Sequence, residues 1–121
     1  MPRPILDESS MHPAIRHRIA NHQQEIVREV QEAIAKHGLL VVGMGQNPQP
    51  KKARRLLDAA GISYHYLEYG NYFNCWRKRN ALKLWTGWPT FPMVFVKGML
   101  IGGADDLEKL LASGELPKLM A

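Results

Sequence analysis

Cysteine is nearly absent: Cys75 is the single one in a chain of 121 residues. One thiol excludes an internal disulfide framework and any CxxC redox pair. No apolar run approaches the roughly 20 residues needed to span a bilayer. The start, Met1-Pro2-Arg3-Pro4, also lacks the apolar stretch of a secretory signal. A cytoplasmic location with no membrane partner is the expectation that follows. Internal repeats and low-complexity segments are missing too. His12, His17 and His22 recur at steps of five, which turns about 140° per pair on a helix and denies them a shared face. No metal site is expected there.

What the chain does contain is ordinary for a small globular domain. Hydrophobic residues make up 45% and charged residues 22%, enough for one modest core. The formal net charge of +5 suits an anionic partner: nucleic acid, an acidic protein or a small anion. No aromatic-basic pattern specific to nucleic acid accompanies that charge.

Residues 1–11 show no periodicity and read as a loose arm. From Pro13 to His37, Ile15, Ile19, Ile26, Val30 and Ile34 recur at steps of four or seven. This predicts one long amphipathic helix, ended by Gly38. Leu39 to Val42 is a doubly buried strand, and residues 43–50 form a breaker-rich loop. A helix to Ala60 follows, with Ala53, Leu56, Leu57 and Ala60 on one face. Ile62 to Tyr69 reads as a strand and Cys75 to Trp85 as a helix after a break at Gly70-Asn71. Met93–Val96 and Met99–Ile101 are strands joined by Lys97-Gly98, a two-residue hairpin signal. Asp105 or Asp106 caps a last helix to about Ala112. The order α-βαβα-ββα implies an α/β fold with a four-stranded mixed sheet between helices, the thioredoxin-like three-layer plan.

The stretch Trp88-Pro89-Thr90-Phe91-Pro92-Met93-Val94-Phe95-Val96, followed by Lys97-Gly98, Gly102-Gly103, Asp105 and Ser113-Gly114-Glu115-Leu116, resembles the C-terminal half of a glutaredoxin. It is closest to the monothiol members, and the likeness extends more weakly over residues 26–121. Together with the residue pattern, this divides the chain into an arm over 1–12 and a single glutaredoxin-like domain over 13–121, with an added helix at 13–37 before a thioredoxin-fold core at 39–121. It implies a cis Pro92 that turns the backbone of Phe91 outward to pair with an extended peptide such as glutathione. Gly102-Gly103 before a helix N-terminus suits a carboxylate, and in glutaredoxins this turn, with the aspartate matched by Asp105, holds the γ-glutamyl end of glutathione. Thr90, Gly103 and Ala104 belong to the same expected ligand site. Asp105 as a plain cap is the alternative reading.

The likeness fails where chemistry is expected. With the second helix registered on Ala53-Arg54-Arg55-Leu56-Leu57, the CPYC or CGFS motif positions fall on Asn47-Pro48-Gln49-Pro50. Asn47 replaces the nucleophile, so no thiolate, mixed disulfide or iron–sulfur bond forms there. The lysine that usually precedes the motif falls on Met44, and the loop lacks the insertion of monothiol members. Asparagine is a favoured N-cap and proline suits the first helical position. Asn47 and Gln49 therefore have two open readings, capping alone or capping plus ligand contact. Arg79 aligns with an arginine that contacts the glycyl carboxylate of glutathione in monothiol relatives. The companion lysine position falls on Leu84, beside Lys83.

Three functional readings follow. The first is a binding module for glutathione or an extended peptide, with no required cofactor and no iron–sulfur cluster. The second is a glutaredoxin-type oxidoreductase through Cys75, which opens a helix beside Arg77, Lys78 and Arg79 and stands about 10 Å from Asn47 by inter-strand spacing. The third is a basic nucleic-acid or protein adaptor resting on Lys51, Lys52, Arg54 and Arg55. Gaps in the first helix's stripe at Asn21 and His22 also leave room for a protein partner or a second copy at that helix.

Overall fold

A computed structural model describes residues 3–21, 24–70 and 75–120. Four strands form one mixed sheet: β1 (Leu39–Gly43), β2 (His65–Glu68), β3 (Met93–Val96) and β4 (Met99–Gly102). Their order is β2-β1-β3-β4, with β1 and β2 parallel and the other pairs antiparallel. This is the expected thioredoxin-like plan. Among the described residues the α-helices are α1 (Pro13–Ala20), α2 (Gln24–Lys36), α3 (Pro48–Ala59), α4 (Trp76–Thr86), α5 (Ala104–Ser113) and α6 (Glu115–Met120).

Strand alternation divides the core between the two faces of the sheet. Leu40 and Val42 join Ile26, Val30, Leu82, Met93 and Phe95 on the face of α2 and α4. Leu39 and Val41 join Ala53, Leu57, Val94, Leu107 and Leu116 on the face of α3, α5 and α6. β1 is buried along its whole length, as its unbroken apolar run requires. At its end Gly43 lies so close to α3 that an added Cβ would stand 2.8 Å from Pro50 Cβ and 2.8 Å from the Tyr66 hydroxyl. The hairpin between β3 and β4 turns on Lys97 (φ 48°) and Gly98 (φ 82°), the paired positive φ values of a two-residue turn that matches strand twist.

Five boundaries differ from the sequence expectation, each for a local reason. The helix expected over 13–37 is two. Asn21 ends α1, with its backbone N–H and its Nδ2 both donating to His17 O, at 3.0 and 2.8 Å, the backbone competition that makes asparagine a poor interior helix residue. His22 lies outside the described residues, as do residues 71–74 beyond Gly70. Within the expected arm, Glu8–Ser10 form a 3₁₀ turn capped by Asp7. The strand expected from Ile62 starts at His65, because Ile62 N donates to Leu57 O at 3.0 Å and closes α3 instead. Cys75 precedes α4 in a left-handed conformation (φ 58°). Past Gly114, whose φ of 76° ends α5, the chain forms α6 and buries Leu116. Pro117 is tolerated there because first-turn N–H groups have no helical partner.

Candidate functional site

The loop after β1, the turn before β3 and the N-terminus of α5 converge at one edge of the sheet. Gly45 N donates to Gly70 O at 2.6 Å and Tyr69 N to Gly43 O at 2.9 Å, so the β1 loop is tied to the end of β2. Tyr69 is fixed in turn by its hydroxyl, which donates to Glu29 at 2.6 Å. Burial first, and then that bond, raise its phenol above the ordinary range.

Between these segments lies a groove of about 270 Å³. It is lined by Asn47, Gln49, Thr90, Phe91, Pro92, Gly103, Ala104 and Asp105, eight of the nine residues that the sequence pointed to as ligand contacts. The Phe91-Pro92 peptide is cis. Asn47 caps α3, its Oδ1 accepting from Gln49 N at 3.0 Å. Gly103, Ala104 and Asp105 bring the N-terminus of α5 to the groove, where first-turn amides have no partner within the helix.

Arg79, the ninth, is elsewhere. Its guanidinium is buried and donates from Nη1 to Tyr69 O at 3.0 Å, so it braces the end of β2 rather than lining the groove. Lys83 Nζ stands 5.8 Å from the Phe91 ring centroid. Cys75 is half-buried before α4 and is not among the described residues that line the groove.

Of the two aspartates expected to cap the last helix, Asp106 takes that role and Asp105 does not. Gly103 is the N-cap of α5, and it is Asp106 whose Oδ2 accepts from Gly103 N at 3.0 Å. Gly102, at φ 113° and packed against the Asp106 carboxylate, leaves no room for a Cβ. Asp105 instead accepts from Lys52 Nζ at 2.8 Å. That hydrogen bond holds its carboxyl below the ordinary carboxylate value and the lysine above its own. The basic run of α3 is accordingly not a uniform rim: Lys52 crosses to α5, and Arg54 lies 4.3 Å over the Tyr66 ring.

Two lining residues escaped the sequence reading as contacts, Trp88 and Asp106. Trp88 was legible as part of the Trp-Pro-Thr stretch, two residues from Thr90. Its Nε1 is the one buried side-chain polar atom without a partner among the described residues. It would lie 3.8 Å from a Cβ placed on Gly103.

A family model described as Glutaredoxin matches residues 45–101. A curated "Glutaredoxin-like protein" of Dictyostelium discoideum is 45% identical over 98 residues, which cover 81% of this chain and 80% of that one. The chain belongs to the glutaredoxin family. Among solved structures, oxidized glutaredoxin 2 of Chlamydomonas reinhardtii is similar with a TM-score of 0.69 and 32% identity, over 81% of this chain and 92% of that one. A buckwheat glutaredoxin–glutathione complex shares the glutaredoxin fold at a TM-score of 0.71 and 23% identity, over 83% of this chain and 91% of that one.

Proposed function

We propose that this glutaredoxin-family chain is a binding module that holds glutathione, or an extended peptide like it, without performing thiol–disulfide exchange at the family's motif position. In this reading Asn47 occupies the place of the nucleophilic cysteine and Pro50 that of the resolving one. An amide can accept or donate a hydrogen bond, but it supplies no thiolate for a mixed disulfide or an iron–sulfur cluster. The likeness to monothiol members in the Trp88–Pro92, Gly102-Gly103 and Ser113–Leu116 stretches then concerns recognition alone.

The observation that carries the reading is the convergence of Asn47, Phe91-Pro92 and Gly103–Asp105 on one groove from which Cys75 is absent among the described lining residues. Phe91 backbone groups would pair with the peptide's main chain. The α5 terminus would favour its γ-glutamyl carboxylate, and the exposed Asp105 would face its ammonium. The glycyl end is less well served, because Arg79 is not among the described residues that line the groove. Glutathione bound in a glutaredoxin of the same fold supports the choice of ligand.

Titration calorimetry with reduced glutathione tests this directly. Saturable heat together with a thermal shift is the expected result. Neither heat nor shift at millimolar glutathione would reject glutathione as the ligand.

A further inference from the structure

The acidic end of the groove is already engaged from within the chain. Lys52 Nζ stands 2.8 Å from Asp105 Oδ1 and 3.5 Å from Glu108 Oε2, the carboxylate three residues further along α5. The other groove carboxylate, Asp106, accepts from Gly103 N at 3.0 Å. Among the described lining residues, both carboxylates therefore have an in-chain donor. An amine entering the groove must displace the lysine or share Asp105 with it, and two ammonium groups on one carboxylate repel each other.

We propose that Lys52 is a specificity-determining residue of the groove, an internal ammonium that competes with an amine-bearing ligand for Asp105 and so disfavours ligands anchored by their amine. The inference rests on the reading of the groove as a glutathione or peptide site. The depressed Asp105 carboxyl and raised Lys52 ammonium agree with a formed bridge. Side-chain exposures of 36% for Lys52 and 75% for Asp105 keep the competition modest, since exposed ion pairs are worth little. Removing Lys52 also removes one positive charge from the neighbourhood of an anionic ligand. That effect is common to ligands of similar charge distribution elsewhere, so the informative quantity is how the gain depends on the amine.

The experiment compares calorimetric affinities for glutathione and for glutathione acetylated on its γ-glutamyl amine. It uses the wild-type chain, Lys52→Met and Lys52→Arg, with thermal melting to establish that each is folded. The ratio of the two affinities, glutathione over the acetylated form, should rise roughly two- to fivefold in Lys52→Met, the scale of an exposed pair, and stay at the wild-type value in Lys52→Arg. An equal or lower ratio in Lys52→Met, with both ligands still binding, overturns the role of Lys52 and leaves the groove reading standing. Binding of neither ligand to any of the three proteins overturns both. Lys52→Gln, which also deletes the charge, must follow Lys52→Met, and a wild-type ratio in that variant overturns the role as well.

Discussion

The two faces of the sheet hold their helices differently. On the side of α3, α5 and α6, Leu57, Leu107 and Leu116 are completely buried, and the Lys52–Asp105 bridge ties the two longer helices together. On the side of α2 and α4, the inner turns are as tightly packed, with Val30 and Leu82 each 1% exposed. Further out, Ile19, Leu84 and Trp85 stay exposed around a cavity of about 900 Å³ between α1, α2 and α4. That cavity is more than three times the volume of the groove at Asn47, about 270 Å³. Yet the smaller one gathers the cis Pro92, a helix N-terminus and convergent polar groups. A binding site is marked by the polar atoms that converge on it, and volume alone is a poor guide.

The comparison breaks if truncating the buried Leu107 and the exposed Leu84 costs the same. Leu107→Ala, which empties a completely buried position, should lose about 2–5 kcal/mol, while Leu84→Ala at a position 70% exposed should stay within about 0.5 kcal/mol. Denaturant unfolding of both variants measures the difference, and similar losses would mean that the outer side of α4 at Leu84 is covered in solution. A smaller effect sharpens the account of the groove. Asn47→Ala removes the acceptor for Gln49 N and should cost about 1 kcal/mol, the worth of a helix cap. Unchanged unfolding would leave the amide free of a capping role.

The layout of the fold was legible in particular stretches. The continuous Leu39–Val42 run announced a central strand, Lys97-Gly98 announced the hairpin, and Trp88–Pro92 with Gly102-Gly103 announced the groove. What stayed hidden depended on choices between competing local partners. Asn21 and Ile62 each spend a backbone N–H on closing a helix, which split the first helix and shortened β2. Asp105 and Asp106 are adjacent and chemically identical. The packing of α3 against α5 gives Asp105 to Lys52, while its place at the third position of α5 gives Asp106 to Gly103 N. Arg79 aligns with an arginine that contacts glutathione in monothiol relatives, but here its buried guanidinium donates to Tyr69 O.

The most direct test of the central claim is a titration of the wild-type chain with reduced glutathione followed through its backbone amide resonances. The account predicts saturable shifts at Asn47, Phe91, Gly103, Ala104 and Asp105, with Cys75 neither shifted nor modified. Shifts confined to Cys75 and its neighbours, or none at all, would contradict it.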